Sequence, residues 1–173
     1  MNQESIKKVK RPTFSLEYEE KNLRNLGITP IRWLGDETPF RTGGIPEGYI
    51  GRTYFREWRK RDHNPDYLSY GPYFEPTGLG SLVELIFFLD SRNWQGSDDA
   101  VFTVDLVDHA SGGTNLVDPV TFYVRDLSPK FACNIYLHGD LELKPGMSIE
   151  SRVVIHGGAD VRFYGLHYGV NYL

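Results

Sequence analysis

About seven short apolar segments between residues 80 and 173, each closed by a turn signal, constrain the fold of this chain more than any other feature. Residues 82–89 are almost continuously apolar, which suits a central strand covered on both faces. Residues 100–107 alternate, with Val101, Thr103 and Asp105 on one face and Phe102, Val104 and Leu106 on the other. Residues 120–124, 131–137, 141–143, 148–155 and 161–173 complete the set. Turn formers separate them: residues 93–99, Ser111-Gly112-Gly113, Ser128-Pro129, His138-Gly139-Asp140, Lys144-Pro145-Gly146 and Gly157-Gly158. Strands this short, with no helical pattern between them, predict a mainly β domain over residues 80–173, an antiparallel, jelly-roll-like β-sandwich.

The first 79 residues have a different character. They hold seven of the ten prolines, and Thr42-Gly43-Gly44 and Pro46-Glu47-Gly48 cut them into short pieces. Only residues 15–26 have helical spacing, through Leu16, Leu23 and Leu26, with Gly27 as a stop. Aromatic residues nevertheless continue from Phe14 to Phe74, and disordered segments are poor in these. Residues 1–79 therefore read as an extended, Pro/Gly- and aromatic-rich N-terminal arm, ordered by the surface it lies on. Charge follows a similar division. Residues 1–71 carry 13 Lys and Arg against 10 Asp and Glu, a net of +3; residues 72–173 carry 6 against 13, a net of −7, making −4 in all. An arm of one sign and a body of the other attract each other, within a molecule or between neighbours.

Two stretches point to contacts. In residues 161–173 a strict period of two puts Tyr164, Leu166, Tyr168, Val170 and Tyr172 on one face, and Phe163, Gly165, His167, Gly169 and Asn171 on the other. Glycines inside a strand permit close approach by another backbone, so Tyr164, Gly165, Tyr168, Gly169 and Tyr172 are expected at a subunit contact. In residues 52–61 cations alternate with aromatics, and Arg56, Trp58, Arg59, Lys60 and Arg61 are expected to tie the arm to an acidic surface. The same mixture suits phosphates and stacked bases, but the chain is acidic overall and nucleic acid is not an expected partner.

Candidate ligand chemistry is sparse. Asp90, Asn93, Asp98 and Asp99 crowd one loop around Trp94. The spacing does not match an EF-hand, whereas a tryptophan beside carboxylates suits a sugar, which makes Trp94, Asp98 and Asp99 the candidate glycan-binding residues. The competing reading is a solvated hairpin with Trp94 folded onto the sandwich edge. The histidines lack zincin or zinc-finger spacing, although a jelly roll can gather His138, His156 and His167 around a metal. Cys133 occupies the place of a small buried hydrophobe. No Gly-x-Ser-x-Gly elbow, P-loop or dinucleotide pattern occurs. No catalytic residue, metal site or cofactor is expected, and the chain does not read as an enzyme. One cysteine rules out an intramolecular disulfide, the first residues are polar and basic, and no apolar run approaches a membrane span. The expectation is a protein without membrane association, cytoplasmic when made.

An arm followed by a strand-rich body ending in Tyr168-Gly169-Val170-Asn171-Tyr172-Leu173 resembles viral and bacteriophage virion structural proteins. It is also similar in plan to the trimeric tumour-necrosis-factor and complement-C1q-like sandwiches. The resemblance implies a capsid decoration, head or tail component in the virion. Its partners would be copies of itself, as in a trimer, and other structural proteins. Two alternatives stand beside it: a carbohydrate-binding module or glycan-binding appendage, and a metal-dependent jelly-roll enzyme.

Overall fold

Among the described residues all the strand pairings are antiparallel and fall into two sheets. The structure is a computed structural model that describes residues 6–10, 27–34, 47–50, 53–127 and 133–173. For residues 6–10, 32–34, 47–50, 53–54, 72 and 133–140 it describes the backbone alone. In the first sheet the order is β1 (Ile6–Lys10), β9 (Cys133–Leu143), β6 (Gly80–Arg92), β11 (Asp160–Tyr172), β4 (Thr53–Trp58) and β3 (Glu47–Ile50). A further strand, β2 (Thr29–Leu34), also pairs with β11. The second sheet runs β5 (Tyr67–Phe74), β10 (Ile149–Ile155), β7 (Ala100–Asp108) and β8 (Thr114–Tyr123). The β4–β5, β5–β6, β6–β7, β8–β9, β9–β10 and β10–β11 connections each cross from one sheet to the other. The fold is the antiparallel β-sandwich that the strand pattern predicts. Among the described residues no helix is long and apolar enough to cross a membrane.

The core lies between the sheets. Leu85, Phe87 and Leu89 of β6 and Val161, Phe163, Leu166, Tyr168 and Val170 of β11 meet Val104 and Leu106 of β7 and Val153 and Ile155 of β10. Each of these large side chains, taken from water, contributes roughly 1.5–3 kcal/mol of transfer free energy. Tyr168 can sit at zero exposure because its hydroxyl bonds Ser151 Oγ on the facing sheet.

Three sequence expectations change. The boundary at residues 79/80 does not divide arm from sandwich. β4 lies beside β11, β5 is an edge strand of the second sheet, and Trp58, Leu68 and Phe74 belong to the shared core. The prolines misled because β5 accommodates Pro72 at a bulge. There Gly71, with φ +77°, and Pro72 stand opposite the single residue Ser151. Secondly, His138-Gly139-Asp140 is not a turn. β9 runs through it, with an irregular register between Leu82 and Glu84 of β6. The helical spacing of residues 15–26 lies outside the described residues.

The third change concerns β11. Phe163 pairs with Leu89 and Gly165 with Phe88, so Tyr164 is an extra residue, and Gly165 takes φ +145°. This bulge shifts the alternation by one. Before it, Val161 and Phe163 face the core; after it, Leu166, Tyr168 and Val170 do. The expected single row of tyrosines is therefore broken: Tyr168 is in the core, Tyr172 packs half-buried against it, and Tyr164 is directed outward with Arg162. The bulge also separates two neighbours, β4 along Val161–Phe163 and β2 along Gly165–Val170.

Candidate functional site

On the outward face above the bulge, charged residues occupy every second position of three adjacent strands. β4 and its continuation contribute Glu57 and Arg59, β11 contributes Asp160 and Arg162, and β6 contributes Asp90 and Arg92. The register sets Arg162 opposite both Glu57 and Asp90, and Asp160 opposite Arg92. Together with Lys60, Arg61 and Asn93 from the adjoining turns, all of these but Asp90, which backs the cluster through Arg92, surround an open cleft of about 430 Å³.

Two carboxylates organise the cleft. Glu57, whose side chain is 3% exposed, receives Arg162 Nε on Oε1 at 2.8 Å, and Arg59 on Oε2 through Nε at 2.7 Å and Nη2 at 2.6 Å. Arg92 Nε lies 4.0 Å from the same carboxylate, while its Nη2 donates to Asp90 at 2.7 Å. Asp160 receives the Lys60 backbone N–H at 2.9 Å and Asn93 Nδ2 at 2.6 Å. The Lys60 ammonium donates to the Asn93 carbonyl at 2.6 Å, and Asn93 itself has φ +53°, a left-handed conformation that asparagine tolerates. The hydrogen bond and charge of Glu57 raise the Arg59 pKa further above its ordinary range. Arg162 also lies 4.3 Å over the Phe55 ring, which meets Tyr164 edge-on at 6.3 Å. Burial, followed by the nearby Asp90 charge, raises the Tyr164 hydroxyl, which donates to Asp90 at 3.3 Å.

The residues named from sequence divide sharply. Arg59, Lys60 and Arg61 line the cleft, and Tyr164 adjoins it through Phe55 and Asp90. Arg56 and Trp58, from the same stretch, point the other way and are 2% and 1% exposed, with Trp58 Nε1 donating to the Asn64 carbonyl at 3.0 Å. With Tyr168 at zero exposure, all three are interior residues and do not form the expected surface contact. Gly165 serves the bulge. At Gly169 a Cβ would stand 3.1 Å from Ile28 Cγ2 and from Glu84 Cβ, so the close approach it permits is made within the chain.

Trp94 packs half-buried against the core with Nε1 donating to Ser91 Oγ at 3.1 Å. Asp98 pairs with Arg125, and Asp99 accepts the Gly96 N–H at 2.7 Å. These contacts match the hairpin roles of the competing reading. His156 and His167 do not converge. His156 follows β10 in the second sheet and bonds Thr103 Oγ1 at 2.6 Å, whereas His167 is buried on β11 of the first, its Nε2 3.6 Å from Glu84 Oε2. The side chains of His138 and Cys133 lie outside the described residues. Among the described residues no group of three His, Cys, Asp or Glu side chains could hold a metal. The sequence reading missed Glu57, Arg92, Asp160 and Arg162. Their signal was present as charges alternating with apolar core residues in three separate segments, but only the register shows them to be neighbours.

No family model and no curated protein matches the chain. Among solved structures it is similar to a low-affinity xylan binding module, CBM86, from the gut symbiont Roseburia intestinalis. That similarity has a TM-score of 0.42 and 11% identity, over 82% of this chain and 96% of that one. It is also similar to the C-terminal CBM6 of LamC, a marine laminarinase from Zobellia galactanivorans, with a TM-score of 0.40 and 10% identity, over 82% of this chain and 99% of that one. Neither is a virion protein. The expectation of a bacteriophage or capsid component is corrected on this finding.

Proposed function

We propose that this chain is a non-catalytic carbohydrate-binding domain and that the cleft between β4, β11 and β6 is its binding site. The observation that carries the reading is the fixed array of planar hydrogen-bonding groups around the cleft. Glu57 holds Arg59 and Arg162, and Asp160 holds Asn93 and the Lys60 backbone, so these groups need little further ordering when a ligand arrives. A volume of about 430 Å³ lies within the range of small-ligand sites. Its polar, charged lining suits a heavily hydroxylated molecule better than an apolar one. Phe55 and Tyr164 add half-buried apolar surface at the margin. Glu57 and Asp160 are both engaged in holding the site, which suits binding and not acid–base catalysis.

Affinity electrophoresis and calorimetry against a panel of soluble polysaccharides and oligosaccharides test the proposal. Binding to at least one glycan is expected, abolished by Arg162→Gln and retained in Asp98→Ala, a change in the loop outside the cleft. Absence of binding across the panel, or binding indifferent to Arg162→Gln, overturns it.

A further inference from the structure

We infer that the cleft selects saccharides bearing an anionic group, a carboxylate or a sulfate ester, over neutral ones; the inference rests on the binding reading above. The first argument is charge. Arg59, Lys60, Arg61, Arg92 and Arg162 face only two lining carboxylates, Glu57 and Asp160. Asp90 and Asp62 back the cluster through Arg92 and Arg61, and even with both counted one positive charge is left over.

The second argument is hydrogen-bond type. Neutral sugar hydroxyls need acceptors as well as donors, and this cleft is short of acceptors. Both Glu57 oxygens already take guanidinium bonds and each Asp160 oxygen takes an N–H bond, so the acceptors left are Asn93 Oδ1 and the remaining carboxylate lone pairs. Donors are in surplus, since each guanidinium carries five N–H groups and Arg162 commits one to Glu57 and another to the Tyr164 hydroxyl. A donor-rich, acceptor-poor site of net positive charge fits an oxyanion, which only accepts. The chain's overall charge of −4 does not prevent this, because salt screens distant charges beyond roughly 8 Å and leaves the local cluster to decide. Nucleic-acid phosphate fits less well. Trp58 faces the interior and the Phe55 ring is covered by Arg162, which withdraws two of the rings of residues 52–61 on which a base could stack.

The test is calorimetric titration of the intact chain at two salt concentrations. The ligands are oligogalacturonate, alginate and glucuronoxylan oligosaccharides, their methyl-esterified forms, sulfated galactan, neutral galactan and xylan, and a single-stranded DNA oligonucleotide. At least one anionic saccharide is expected to bind about tenfold more tightly than its esterified or neutral counterpart. That preference should shrink at high salt, and Arg92→Gln and Lys60→Gln should each weaken it, with thermal melting confirming that both variants fold. A uronate that wins assigns the anion to a carboxylate, and a sulfated galactan that wins assigns it to a sulfate ester. Equal binding of charged and esterified or neutral saccharides overturns this inference and leaves the carbohydrate reading standing. No saccharide binding, or tighter binding of DNA than of any saccharide, overturns both.

Discussion

Glu57 and Arg162 meet across β4 and β11, Oε1 2.8 Å from Nε, in a row whose third member is Asp90 on β6. Because Glu57 also holds Arg59, one nearly buried acid orients guanidinia from two chain segments. Glu57→Gln should therefore destabilise the fold and spread the cleft. Removing one partner of a fully buried pair costs about 3–5 kcal/mol. Here the guanidinia reach water, so about 2 kcal/mol is expected. Chemical denaturation measures it, and a change below the noise of that measurement counts against Glu57 as the organising group.

The Tyr168–Ser151 contact joins the two sheets through the middle of the core. Tyr168→Phe should cost about 1–2 kcal/mol, because it withdraws a partner from a serine hydroxyl that is itself fully buried. Adding Ser151→Ala should restore part of the loss, which a double-mutant cycle reads directly.

Gly169→Glu separates an internal role from an external one. The new side chain begins 3.1 Å from Ile28 Cγ2 and Glu84 Cβ and brings a second negative charge beside the Glu84 carboxylate. A loss of about 2–3 kcal/mol in stability is expected, as for other overpacked sites. A variant that melts like the parent would show that this approach is not tight.

A chain truncated to begin at Gly80 should not melt cooperatively. It lacks Trp58, Leu68 and Phe74 from the core, and it leaves β10, and β11 along both Val161–Phe163 and Gly165–Val170, with unpaired edges. A sharp calorimetric transition from that fragment would restore the division into arm and body.

Asp108 should make the fold acid-sensitive. Its carboxylate accepts the Ser111 hydroxyl at 2.6 Å and the Ser148 and Ala110 N–H groups at 3.0 and 3.1 Å, and these bonds lower its pKa. The stabilisation is complete above the unfolded aspartate value of about 3.9 and is lost as pH falls through the lower folded value. Asp108→Asn should be less stable than the parent at neutral pH, with the gap closing toward acid. A gap independent of pH would remove the carboxylate from the account.

The sandwich was legible because its strands carry their signals locally. The continuous apolar run of β6 and the alternation of β7 each mark a strand without reference to any other. The cleft was hidden because its residues come from three segments whose juxtaposition depends on register, and Arg162 reads as an ordinary outward residue until β4 lies beside it. The inversion of Phe163 and Tyr164 was hidden for a related reason. Period-two reading assumes an unbroken strand, and Gly165 alone does not announce where the extra residue falls.

The bulge at Tyr164 and Gly165 also bears on how such a chain can change over generations. A strand without it, kept in one period of two, would put Arg162 on the same face as Leu166, Tyr168 and Val170 in the core. With the extra residue taking up the offset, a lineage can alter the outward residues on one side of it while the interior on the other stays in step. Outward chemistry and structural integrity then become separately heritable traits of a single strand.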